Sequence, residues 1–147
     1  MAIELSNESK EICKEDELVA VAAFAIEAMD IHPDSELSIT IVDEDRMSEL
    51  HVEWMDLEGP TDVLSFPMDE LRPNSRKNGP GVIGDIVLCP AFAKKEQIPH
   101  PLDHELALLT VHGVLHCLGF DHADPEEERV MFGLQEKILS DWKSSLR

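Results

Sequence analysis

Apolar residues recur along this chain with two different periods, and the switches between them divide it into elements. Residues 2–6 alternate weakly, as a strand does, and residues 15–29 carry apolar side chains around much of a helical circumference. After the His32-Pro33-Asp34 break, residues 37–42 alternate with β-branched side chains and predict a half-buried strand. Asp43 is placed as an N-cap for a helix over 44–55, with Met47, Leu50 and Trp54 on one side and a stop near Gly59-Pro60. A short strand over 61–66 is closed by Pro67, and a central strand is expected over 82–88 despite Gly84. Between them, residues 69–81 hold Pro73, Asn74, Asn78, Gly79, Pro80 and Gly81, and predict a mobile surface loop without regular structure. Helical patterns follow at 90–97, 102–118 and 125–142, the last opened by Pro125 at a position where a missing N–H costs nothing. Strands and helices mix without strict βαβ alternation. The expected class is α+β, a single domain over 1–147 with one small mixed sheet packed against helices.

Charge narrows the function. With 31 acidic residues against 12 Lys plus Arg, the net charge of −19 excludes a protein that grips nucleic acid over a broad basic face, so any such contact must be local. Cys13, Cys89 and Cys117 are scattered and form no CxxC pair, which reads as buried free thiols. No apolar run approaches the roughly 20 residues that span a bilayer, and the opening residues lack the basic start and apolar stretch of a signal peptide. The expected address is the cytoplasm, with no membrane partner.

The segment carrying chemistry runs from His112 to His122. His112 and His116 are four apart on the 102–118 helix, so they sit about 40° apart on one face and one turn apart in height. Gly119 is placed just past the helix end, where a left-handed backbone turns the chain back. His122 then arrives from a loop. Three imidazoles with a fourth position left to water form a catalytic arrangement for one divalent ion, zinc by preference. This puts the site at the C-terminal end of a long helix. A closed structural site would need Cys89, Asp121 or Cys117 as fourth ligand, although Cys117 lies about 100° around the helix from His116. The spacing HxxxHxxGxxH is shared with metzincin peptidases, but their general-base glutamate is replaced here by Gly113.

Three segments, Thr61-Asp62-Val63-Leu64-Ser65-Phe66-Pro67, Gly84-Asp85-Ile86 and the His112–His122 run, resemble in order and spacing the YbeY family of bacterial endoribonucleases, which act in ribosomal RNA maturation. The likeness continues into the last helix with Met131 and Gln135. It implies a metal held by His112, His116 and His122, and a cleft between that metal and the 61–67 strand. It further implies hydrolysis of single-stranded RNA, notably small-subunit ribosomal RNA. Asp85 is the carboxylate expected to orient a ligand histidine or the water. Where many members of the family carry an arginine considered important for activity, this chain has Met55. The substitutes expected to meet phosphate are Arg72 and Arg76 on the loop, with Lys77, Arg46, Lys94 and Lys95 as further cations. The competing readings are a zinc peptidase or other small hydrolase on the same scaffold, and a ribosome-assembly binding protein with a structural metal. The acidity favours delivery of RNA by a partner, such as a small-subunit ribosomal protein or an assembly GTPase.

Overall fold

The computed structural model of the chain describes residues 2–55, 61–96 and 100–146, and all their side chains except those of Trp54 and Met55. In chain order the elements are β1 (Ala2–Asn7), α1 (Glu15–Ala28), β2 (Glu36–Ile41), α2 (Glu44–Met55), β3 (Val63–Pro67), β4 (Val82–Leu88), α3 (Pro90–Lys95), α4 (Leu102–Cys117) and α5 (Pro125–Ser145). The strands form one sheet in the order β1-β2-β4-β3. β1, β2 and β4 run parallel, and β3 pairs antiparallel with β4 at the edge. The fold is the α+β arrangement with a small mixed sheet that the sequence implies.

Period-two alternation gives the sheet two different faces. On one, Leu37, Ile39, Ile41, Ile86 and Leu88 join Val21 and Ile26 of α1, Val111, Val114 and Leu115 of α4, and Met131 and Leu139 of α5 in the main core. Each fully buried aliphatic side chain stabilises the fold by about 1.5–3 kcal/mol relative to exposure. On the other face Val87 and Leu64 meet Met47 of α2 in a smaller core that also holds Cys89. Gly84 marks a bulge: Glu36 pairs with Val82 and Leu37 with Gly84, so one residue of β4 is left over. Its φ is +151°, and a Cβ there would collide with the Phe66 carbonyl oxygen of β3.

Local details add to the expectations or depart from them in three places. The 69–81 segment contains a 3-10 turn over Arg76–Asn78, and it is tied to the end of α1 by Asn74 N–H to Met29 C=O at 3.0 Å and Arg76 N–H to Asp30 C=O at 2.9 Å. The Asp43 carboxylate accepts the Lys10 amide at 3.2 Å, while its carbonyl accepts the Met47 amide at 3.0 Å that starts α2. α5 runs on to Ser145, past the expected end at 142, with Leu139 and Trp142 buried on its inner side. Its first turn is capped by Asp124, whose Oδ1 accepts the Glu127 amide at 2.8 Å, with Pro125 following.

Candidate metal centre

The last two turns of α4 have a buried side and a working side. Val111, Val114 and Leu115 are fully buried, whereas His112 and His116 are half-buried and face a cleft of about 700 Å³. Gly113 turns toward the sheet, where a Cβ would sit 3.0 Å from three side-chain atoms of Ile86 on β4. This close approach of helix to sheet is why no glutamate follows the first histidine: the position faces core. The helix then ends in a Schellman turn, with Phe120 N–H on Leu115 C=O at 3.1 Å and Gly119 N–H on His116 C=O at 3.0 Å. Gly119 has φ +99°, as its place past the helix end requires. The reversed chain delivers His122 back over the helix.

The imidazoles converge. Ring centroids lie 4.6 Å apart for His112 and His116, 5.1 Å for His116 and His122, and 5.4 Å for His112 and His122. One ring nitrogen from each lies within 4.8 Å of the others. A tetrahedral ion with bonds of about 2.1 Å needs donors roughly 3.4 Å apart, which small ring rotations achieve, so the donor set fits a single divalent ion. Among the described residues no fourth ligand joins the group. Cys117 is buried against β4, its thiol pushed up to about 12 by burial and then by Asp85. Cys89 lies in the α2-side core, and Asp121 is exposed with Oδ1 accepting the His122 amide at 2.7 Å. The site is therefore open.

His112 is oriented from behind. Its Nδ1 is 2.8 Å from Oε1 of the buried Gln135 on α5; with the amide oxygen accepting, Nδ1 carries the proton and Nε2 presents its lone pair. Burial holds His112 below the ordinary histidine range, with Gln135 opposing that shift and His122 adding to it. Burial, then His112 and His122, hold His116 down as well. Both are thus neutral at pH 7, the state a metal ligand must have.

The cleft runs along β3. Asp62, Val63 and Ser65 line one side, and Phe120 and Phe132 contribute apolar wall. Asp62 is held above the usual carboxylate range, first by burial and also by the Glu105 charge, against hydrogen bonds from its own and the Val63 amide. No lysine or arginine is among the described lining residues.

The structure does not bring every expected residue to this cleft. Ile86 faces α4, so by strand alternation Asp85 points to the opposite face of the sheet, where it lines a separate groove with Ser38, Thr40 and Arg46. Arg72 does reach the rim: its Nη1 is 3.5 Å from the Leu118 carbonyl, and its guanidinium lies over Gly119. Arg76 and Lys77 instead border a pocket with Asp30 and His32 at the end of α1. Arg46 pairs with Glu49 at 3.1 Å, Lys94 with Glu11, and Lys95 with Glu44 at 2.7 Å. Which way the Met55 side chain faces lies outside the described residues. Sequence reasoning did not single out Asp62, although it lies in the quoted 61–67 segment, nor Phe132, which sits three residues before Gln135 on the helix that covers the site. No helix among the described residues is long and apolar enough to cross a membrane.

Comparison with known proteins agrees with this geometry. A curated relative from Rhodococcus opacus named Endoribonuclease YbeY is 60% identical over 153 aligned residues, covering this whole chain and 85% of the relative. One of the same name from Mycolicibacterium smegmatis is 57% identical over 148, covering 97% of this chain and 83% of the relative. The solution structure of TM1509 from Thermotoga maritima shares the fold with a TM-score of 0.61 at 24% identity, covering 99% of this chain and 93% of that one. The family model described as Endoribonuclease YbeY matches residues 3–143, and with its three histidines converged at the end of α4 the chain belongs to the YbeY family.

Proposed function

We propose that this chain, as one metallohydrolase domain over 1–147, is a metal-dependent endoribonuclease that cuts single-stranded RNA in the maturation of small-subunit ribosomal RNA. The observation that carries the reading is the open cleft in which His112 and His116, kept neutral by burial, converge with His122, in a chain whose relatives are named endoribonucleases. His112, His116 and His122 would hold the ion, for which zinc suits three imidazoles and an open position. Bound there, a divalent ion supplies Lewis-acid chemistry for phosphodiester hydrolysis, polarising a phosphoryl oxygen and activating water.

The chain's own groups do the rest. Gln135 fixes the His112 tautomer and ring plane. Asp62, a desolvated carboxylate that lines the same cleft, is the group we assign to take up the proton of the attacking water. Arg72 is the loop arginine that can meet phosphate, because it already stands at the rim over Gly119; Arg76 does not. Asp85, on the other face of the sheet, is left to roles away from the chemistry.

The net charge of −19 supports delivery of the RNA by a small-subunit ribosomal protein or an assembly GTPase rather than capture from solution. Three free thiols suit the reducing cytoplasm. The deciding experiment is cleavage of single-stranded RNA by zinc-loaded protein beside a His116→Ala control. Cleavage by the first alone is expected. Equal cleavage by both, or by neither, overturns the proposal.

A further inference from the structure

A cleft that is to hold a polyanion but has no described lysine or arginine in its lining, and Arg72 only at its rim, must bind it in part by other means. Around the N-terminal half of α5 the problem is sharper. Glu126, Glu127 and Glu128 crowd its first turn and Asp121 stands beside His122, so a phosphate on this side meets like charge. A neutral nucleobase meets no such penalty.

Phe132 stands on this side. Its helix neighbours Met131 and Gln135 are 0% and 7% exposed, as an inward face requires, yet Phe132 keeps 37% of its surface accessible. The ring lies 5.8 Å from the His122 ring and 6.1 Å from the His112 ring, tilted by 43° and 53°. It therefore flanks the metal centre rather than filling the core. With over a third of its surface accessible, the ring is reachable from the cleft that it lines.

We propose that Phe132 is a stacking platform for one nucleobase of single-stranded RNA, setting the nucleotide adjacent to the metal centre; this rests on the endoribonuclease reading above. Stacking is tolerant of base identity, because every base offers a π-face. It also demands an unpaired base.

The test uses zinc-loaded protein and a single-stranded oligoribonucleotide carrying 2-aminopurine at successive positions, read by stopped-flow fluorescence on mixing, before turnover. Quenching at one position is expected in the wild type and in Phe132→Trp. Phe132→Ala and Phe132→Leu should both lose it, with KM raised roughly 5- to 150-fold and kcat little changed. An abasic residue at the quenched position should raise KM for the wild type by a similar factor and for Phe132→Ala hardly at all. If Phe132→Leu behaves as wild type, or the abasic penalty is the same in both proteins, Phe132 is only apolar wall and the inference falls. A wild type that cleaves RNA while Phe132→Ala binds it equally well removes this inference alone. A wild type that neither binds nor cleaves RNA removes the endoribonuclease reading with it.

Discussion

Gln135 and His112 are joined across the α4–α5 interface by a 2.8 Å hydrogen bond between the amide Oε1 and the imidazole Nδ1. The glutamine is 7% exposed, so this bond is not in competition with bulk water. Gln135→Ala should lower zinc affinity by about 10- to 100-fold, measured by competition with a chromophoric chelator. Gln135→Glu, which keeps an acceptor, should retain it. Unchanged affinity in the alanine variant would mean that the bond does not orient the ligand.

Gly113 separates the two helix ligands and lies against Ile86. Gly113→Ala gains about 1 kcal/mol of helix propensity but crowds three Ile86 atoms at 3.0 Å, so its melting temperature should stay close to wild type or fall slightly. Gly113→Glu, which restores the peptidase-like residue, should destabilise the fold by several kcal/mol, because the carboxylate enters the packed face of α4. It should confer no peptide hydrolysis. A folded, peptide-cleaving Gly113→Glu variant would show that this position faces the cleft.

Acid should weaken the metal-free protein from about pH 6.5 downward. His112 and His116 have folded pKa values depressed by burial, so the unfolded chain takes up their protons first and stability drains as pH falls from the ordinary value of 6.5 through the folded values. Asp62 opposes this, since its raised pKa contributes stability at low pH that is lost as pH rises through its folded value. His104, held down by burial and then by the Lys143 charge, adds to the same acid-side loss. Melts of His116→Gln between pH 7 and 5 should vary less than those of wild type, and equal slopes would rule out this origin.

On the alkaline side Cys117 acts in reverse. Its thiol is pushed from an ordinary 9.0 to about 12, so above pH 9 the unfolded chain releases this proton first and stability falls toward pH 12. Cys13 and Cys89 shift the same way, and Cys117→Ala isolates one share of the effect. The variant should lose less stability than wild type between pH 8.5 and 10.5 in denaturant titrations. A parallel loss would refute the assignment.

RNA affinity should fall only mildly with salt. Neutralising two or three phosphates on a single strand corresponds to a log–log slope of roughly −1.4 to −2.1, and Arg72→Ala should flatten it while Arg76→Ala should not. A steep slope would reveal a basic track elsewhere on the surface.

The sequence carried the convergence of the three histidines and the fold far better than it carried the residues around them. Histidines at i and i+4, with glycine past the helix end, have a geometry that 3.6 residues per turn dictates, so the placement of His112, His116 and Gly119 was legible without coordinates. Strand alternation was legible for the same reason, but not which face of β4 would meet α4. That choice sends Asp85 away from the histidines, and it is set by long-range packing of Ile86 on Gly113. The bulge at Gly84 depends on β3, far along the chain, coming too close for a side chain. Phe132 escaped notice because a single apolar residue on an amphipathic helix reads as core until its exposure is known.

His116 is fixed in α4, but His122 stands beyond the Schellman turn, six residues along, at the threshold of α5. An ion shared by the two is therefore a cross-link that closes a small loop at the corner of the fold. Backbone amides of residues 118–124 should exchange with deuterium much more slowly once the site is filled, while those of β1 and β2 stay as they were. In that sense an ion held there would act as a staple as well as a reagent, and its depletion would loosen this corner of the molecule before any other part came undone.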